Sequence, residues 1–224
     1  MKKEVKKNKI EKKQKKTFYF FCKRIIDIIF SVVGLIFFLP IALIIKISYV
    51  LTGDFHKIFF VQERIGLNGK LFKFYKFRTM IPNADEALFK LLKEDKKLAK
   101  EYKENKKLEN DPRITKIGKF LRNSSIDELP QILNIVKGDM TLIGNRPYLP
   151  REKEVMGDYF DDIVKTKPGL TGYWQVNGRS DVSFDTRLKL EKYYSNNCSL
   201  LMDIKIFLKT FIVVVKGVLS KGKR

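Results

Sequence analysis

From Ile28 to Ile45 the chain reads IIFSVVGLIFFLPIALII, eighteen residues without a formal charge. As a helix this is about 27 Å long at ~1.5 Å per residue, just short of a comfortable membrane crossing. The segment is long for a secretory signal, and no small-residue cleavage site follows before Lys46-Ile47-Ser48-Tyr49. Two features separate the remaining choices. Pro40 lies two thirds of the way along, where it removes one helical hydrogen bond and crowds the carbonyl of Ile36. Both flanks are basic, so the positive-inside tendency draws both ends to the same face of the membrane. A helix that enters, bends at Pro40 and leaves by the same face satisfies both, and is expected here over a straight crossing.

The charge distribution supports a membrane partner. The 224 residues carry 46 Lys and Arg against 25 Asp and Glu, a net +21. Residues 1–16 hold nine Lys and two Glu, whereas 81–110 are nearly balanced with eight Lys and seven acids. The excess requires anionic partners: nucleic acid, phosphorylated small molecules or an acidic membrane surface. The amino-terminal lysines read as a disordered, lipid-attracted tail. At the other end, LLMDIKIFLKTFIVVVKGVLSKGKR places Lys205, Lys209 and Lys216 on one helical face, opposite Leu200, Phe207, Phe211 and Val218. Such a helix suits the lipid interface, and equally a place on the domain's own core. Cys22 and Cys198 lack metal-ligand spacing, which fits a reduced, cytosol-facing protein. With His56 the only histidine, a Ser-His-Asp triad or histidine-rich metal site has no candidate beyond that loop residue.

In the body, residues 58–65 and 71–78 read as strands joined through Gly66-Leu67-Asn68-Gly69, a hairpin signal. Its second strand carries Lys73, Lys76 and Arg78, suited to phosphate or simply to solvent. Residues 83–108 form a charged helical stretch supported by Glu86–Lys90 and similar pairs. Asn110-Asp111-Pro112-Arg113 breaks it, and ITKIGKFLR restarts a short amphipathic helix ending near Arg122.

Then comes NSSIDELPQ, with two adjacent carboxylates in a basic neighbourhood. Ser125 followed by Glu128 has the spacing of a capping box, Asp127 would complement the helix dipole, and Pro130 fits near a helix start. The same placement would keep Asp127 ionised, as a nucleophile or as a ligand, with Glu128, for a hard cation such as Mg²⁺. Further on, Gly144-Asn145-Arg146-Pro147 sets an arginine in a stiff turn, and KPGLTGYWQVNGRS places the single Trp among three glycines and ends near Arg179. Neither matches a known nucleotide-binding loop.

Taken together, KFYKFRTM, RNSSIDELPQILNIVKGDMTLIGNRP, KPGLTGYWQVNGRS and SLLMDIKIFLKT, in this order behind one proline-broken apolar segment, resemble the bacterial sugar transferases. These are the monotopic phosphoglycosyl transferases, and the resemblance covers about residues 18–216. It implies transfer of a sugar 1-phosphate from a UDP-sugar to undecaprenyl phosphate, with release of UMP. Asp127 would be the nucleophile that forms an aspartyl-phosphosugar intermediate, with Glu128 assisting through Mg²⁺ or proton handling. Lys76, Arg78 and Arg146 would meet the phosphates, with Arg113, Arg122 and Arg179 as further candidates. Residues 146–160 look most like galactose-1-phosphate transferases, which makes UDP-galactose and UDP-glucose the leading donors. Two positions depart from the family pattern. Leu39 replaces the serine usual before the membrane proline, and Asn145 replaces the first proline of Gly-Pro-Arg-Pro, which would loosen the turn that aims Arg146.

The expected architecture is α+β and helix-rich. A basic tail occupies 1–17, a re-entrant membrane helix 18–51, a cytosolic catalytic domain 52–199 and an amphipathic interfacial helix 200–224. The multi-span amino-terminal region of some relatives has no counterpart in it. Expected partners are a UDP-sugar, undecaprenyl phosphate and anionic lipids at the cytoplasmic face of the inner membrane, with no specific nucleic acid and with homodimerisation open. A membrane-tethered nucleic-acid-binding or scaffold protein is the alternative class, and no recognition helix or RNA-stacking platform supports it.

Overall fold

A computed structural model describes the backbone of residues 2–105, 108–178 and 182–221, and the side chains of 16–103, 108–178 and 182–212. The expected basic tail therefore lies almost wholly outside the side chains described, as does the end of the carboxy-terminal helix. The fold is helix-rich α+β with two small sheets and one long apolar amino-terminal helix. It divides into two compact units. One comprises Met1–Phe37, Val61–Tyr75 and Gln131–Arg224, the other Phe38–Phe60 and Lys76–Pro130. Helix α1 (Lys2–Leu51) and the hairpin of β1 (Phe59–Ile65) and β2 (Leu71–Phe77) contribute to both.

In the first unit, α1 presents Lys23, Arg24 and Asp27 inward. Lys23 pairs with Asp203 of the carboxy-terminal helix, and Asp203 also accepts from the hydroxyls of Tyr19 (2.9 Å) and Tyr194 (2.8 Å). Arg24 donates to the carbonyls of Ile135 (2.6 Å) and Val136 (2.8 Å) at the carboxy-terminal end of α5 (Gln131–Lys137), where the Ile135 carbonyl also accepts the Gly138 N–H. Asp27 accepts from the Thr141 hydroxyl and from the Leu142 N–H at 2.8 Å, at the start of β3 (Thr141–Ile143). With these charges consumed, the outward face is apolar from Phe18 through Phe21, Ile25, Ile29 and Val33. The apolar exterior thus begins ten residues before the uncharged run at Ile28, because the charges that bound that run in sequence are turned inward.

Strand β3 pairs in parallel with β4 (Gly169–Thr171), Thr141 opposite Gly169 and Ile143 opposite Thr171. Just past β3 the backbones touch. A Cβ on Gly144 would lie 2.4 Å from the Lys167 carbonyl oxygen, and one on Gly169 would lie 2.1 Å from the Gly144 nitrogen. Only glycine permits that approach, which explains the glycines of both motifs. Three helices follow: α6 (Tyr173–Asn177), α7 (Phe184–Asn197), capped by Ser183, and α8 (Leu200–Lys221). Helix α8 packs Asp203 and Ile206 inward and leaves Leu201, Ile204, Phe207, Leu208 and Phe211 exposed, with Phe207 edge-on to Phe30 of α1.

The second unit is built on stacked Phe38, Phe59 and Phe77, with ring centroids 5.5–6.2 Å apart. Pro40 lies inside α1, which continues through it to Leu51. The charged stretch is two helices, α2 (Ala84–Glu94) and α3 (Lys96–Asn105), interrupted at Asp95. Helix α4 (Lys116–Ser124) is N-capped by Thr115, whose hydroxyl accepts from the Gly118 N–H. At Gly118 the helix meets Thr79, where a Cβ would come within 1.9 Å of the carbonyl oxygen. Gly118→Ala therefore forces α4 off its support, and a loss of about 1–3 kcal/mol is expected, read as a lowered midpoint of thermal unfolding.

Candidate active site

Strand β2 carries Lys76 as its penultimate residue, and a single turn of 3₁₀ helix, Ile126–Glu128, brings two carboxylates to it. The Lys76 ammonium lies 2.7 Å from Glu128 Oε1 and 3.6 Å from Asp127 Oδ2. Asp127 is the more enclosed, its side chain 13% exposed against 42% for Glu128. Burial raises the proton affinity of Asp127. Lys76 opposes this, the neighbouring Glu128 adds to it, and Arg122 opposes it further. What keeps Asp127 available as an anion is therefore the Lys76 charge.

This corrects the expected capping. Ser125 closes α4 in the left-handed region, with φ 59°, and its side chain caps nothing. An N-cap needs extended backbone, so a residue ending one helix this way cannot cap the next. Glu128 turns to Lys76 instead, and α5 begins only at Gln131, after Pro130. Asp127 thus precedes that helix, and the short 3₁₀ turn offers little of the dipole first invoked for it.

The predicted cations differ in their engagement. Arg122, exposed on the last turn of α4, uses Nε to donate to the Thr79 hydroxyl at 2.9 Å; its terminal nitrogens have no partner among the described residues. Arg78 is engaged through all three of its nitrogens. Nε donates to the Lys57 carbonyl, Nη1 to that of Met80 and Nη2 to Asp54, while its guanidinium covers the Tyr49 ring at 4.5 Å. Arg113 grips Asp111 through two bonds and donates to the Ala84 carbonyl. Lys76, Arg78, Arg113, Arg122 and the two carboxylates all belong to the second unit. Arg146 belongs to the first, above the Tyr148 ring, with its backbone N–H bonded to Glu191. Arg179 lies outside the described residues.

The turn holding Arg146 is tighter than the sequence implies. Asn145, expected to loosen it, is buried and donates through Nδ2 toward the Ile163 carbonyl and the Thr166 and Ser195 hydroxyls, the last at 2.7 Å. Arg64 donates to the Pro147 carbonyl. The amide thus replaces the rigidity of a proline ring with tethers from three elements. Glu191 was missed altogether. Its signal was present, since Phe184, Leu188, Glu191 and Ser195 share one helical face and place a carboxylate on an apolar stripe.

Among the described residues no group of three or more His, Cys, Asp or Glu side chains could hold a metal. Asp127 and Glu128 are a carboxylate pair with oxygen donors of the kind Mg²⁺ takes, and Lys76 lies against both. That ion is held through one or two carboxylates, with water and substrate phosphate completing the shell, and Glu128 leaves the dyad open to solvent.

Known proteins share this chain's sequence over almost its whole length. It is 44% identical over 196 residues to an undecaprenyl-phosphate galactose phosphotransferase of Salmonella typhimurium, covering 88% of this chain and 41% of that protein. It is 40% identical over 200 residues to the exopolysaccharide production protein ExoY of Sinorhizobium fredii, covering 89% and 87%. A UDP-N-acetylgalactosamine-undecaprenyl-phosphate N-acetylgalactosaminephosphotransferase of Aeromonas hydrophila is 33% identical over 209 residues, covering 89% of this chain and 45% of its own length. The chain thus spans about two fifths of the Salmonella protein and most of ExoY. The sequence profile of the bacterial sugar transferases matches residues 18–217, a range that takes in Lys76, both carboxylates and the Arg146 turn. The chain belongs to the bacterial sugar transferase family.

Proposed function

We propose that this protein transfers a sugar 1-phosphate from a UDP-sugar, with galactose or glucose as the sugar, to undecaprenyl phosphate at the cytoplasmic face of the membrane. The observation that carries the reading is the enclosed Asp127, held beside Lys76 and next to an arginine whose terminal donors are uncommitted. One Asp127 oxygen bonds to the β-phosphorus of the donor. The bond from that phosphorus to the bridging oxygen breaks, and UMP leaves with the oxygen. A phosphate oxygen of the acceptor then bonds to the same phosphorus, the aspartyl bond breaks, and the carboxylate is regenerated with an undecaprenyl diphosphate sugar as product. Asp127 and Glu128 would hold Mg²⁺, which when bound offsets phosphate charge. Lys76 and Arg122 supply positive charge where phosphoryl oxygens gather it. Arg146, in the first unit, is a donor-phosphate contact in this reading. Arg78 and Arg113, whose donors are committed within the protein, support the site from behind.

Helix α1, apolar on its outward face and with Pro40 inside it, is re-entrant in this reading, and α8 lies in the interface with Phe207 and Phe211 toward lipid. A lipid acceptor and a soluble donor then meet at one surface. The names of relatives support galactose and N-acetylgalactosamine as sugars handled within the family.

Asp127→Asn is expected to abolish UMP release from UDP-galactose and UDP-glucose while the protein keeps its thermal transition and membrane partitioning; wild-type turnover in that variant would falsify the nucleophile assignment. A trapped wild-type reaction should carry sugar phosphate on the polypeptide. Since the nucleophile must be ionised, turnover falls as pH drops through the Asp127 titration, which folding raises above the ordinary carboxyl value. Lys76→Met removes the opposing charge and moves that acid limb to higher pH, readable in a pH–rate profile. Cysteines placed beside Lys16 and after Lys57 should react with an impermeant reagent from the cytoplasmic side alone. Labelling from opposite sides would mean a spanning helix.

A further inference from the structure

Glu191 is fully buried on α7, and one of its oxygens accepts the Arg146 backbone N–H at 2.9 Å. Its other oxygen has no hydrogen-bond partner among the described residues, nor has Arg146 Nε or Nε of Arg187, one turn back on the same helix. The same face of α7 supplies Ser195 to the Asn145 amide. One helix thus fastens two consecutive residues of the arginine turn, one of them through a buried charge. A carboxylate in the core without a full set of donors is costly, and no packing requirement calls for one here, since an apolar residue would continue the stripe of Phe184 and Leu188. The group is retained where it touches a residue expected to meet substrate.

We infer that Glu191 is the positioning residue for Arg146: its carboxylate fixes the backbone of the arginine turn, and so fixes how the guanidinium meets the diphosphate of the donor. This rests on the reading of Arg146 as a donor-phosphate contact. The charged and titratable groups facing Glu191 are Arg146 and Tyr148, from the loop after β3, and Arg187 on α7. Burial lifts its titration to about 7, and the Arg146 N–H, Tyr148 and the two guanidinium groups oppose that lift. Glu191 therefore changes charge near neutrality. Above that point it holds the turn through a charge-assisted bond, and below it through a weaker neutral one. Fold stability runs the other way. A carboxyl whose proton affinity is raised by folding contributes stability that is fullest below its unfolded titration and is lost as pH rises through about 7. A merely structural Glu191 thus loosens the protein as pH rises, whereas a positioning Glu191 tightens donor binding over the same interval.

The test is calorimetric binding of UDP-galactose, whose diphosphate has no group titrating between about pH 5.5 and 8.5. The full-length protein carries Asp127→Asn throughout, so that no chemistry follows binding. In this parent, Kd should fall roughly five-fold as pH rises through 7. Glu191→Gln keeps an acceptor without charge and should give a flat profile near the acid-side value. Glu191→Leu should also give a flat profile, about ten-fold weaker than the parent above pH 7, and no weaker still when combined with Arg146→Ala. A parent Kd that ignores pH, or a Gln profile that follows the parent's, overturns the inference; if Glu191→Leu does not fold, those two profiles decide alone. Arg146→Ala binding like the parent would instead overturn the assignment of Arg146, and this inference with it.

Discussion

The structure depends first on the disposal of charge midway along α1. Lys23, Arg24 and Asp27 sit within one and a half turns on a stretch whose outward face is apolar from Phe18 to Val33, and any of them facing lipid would be expensive. Each has found partners within the first unit. Asp203 is satisfied by an ammonium and two tyrosine hydroxyls, so this buried pair meets the condition under which such pairs are tolerated: the remaining lone pairs are filled. Arg24 closes the carbonyl end of α5, and Asp27 anchors β3. The same bonds that keep the helix exterior apolar therefore also locate β3, and with it the turn that carries Arg146.

In the second unit the corresponding economy is at Lys76. Two neighbouring carboxylates repel each other, and burial disfavours ionisation of the inner one; a single ammonium near the end of β2 opposes both effects without cancelling them. Thr79, three residues further on, takes the Nε of Arg122 on its hydroxyl and the approach of Gly118 on its carbonyl. The end of one strand thus holds the ammonium beside the carboxylates and supports the helix that carries Arg122. Arg78, between them in sequence, is used wholly for fastening.

Local features were legible in the sequence. The hairpin followed from Gly66-Leu67-Asn68-Gly69 between alternating strands, the break before α4 from Asn110-Asp111-Pro112-Arg113, and the apolar run from composition alone. What escaped depended on partners distant in the chain. Nothing near Lys23 indicates that its charge belongs to Asp203, so the apolar exterior read shorter than it is. Ser125 fits a capping box by spacing, and only the left-handed close of α4 shows that it cannot serve. Asn145 looked like a weakness because its three acceptors lie on segments read separately. The carboxylate pair itself was visible; the cation that governs it was visible only as one of several basic residues.

The bond from Lys23 to Asp203 closes a loop of 180 residues. At translation rates of about 5–20 residues per second, the ribosome delivers the second partner roughly 10 to 40 s after the first. For that interval the nascent helix carries its lysine without the aspartate that will neutralise it, and Lys23 and Asp27, one turn apart, have only each other. Seating of this helix against the first unit therefore waits until residue 203 has been made. A chain stalled before residue 203 would leave the Lys23 ammonium without the carboxylate that neutralises it.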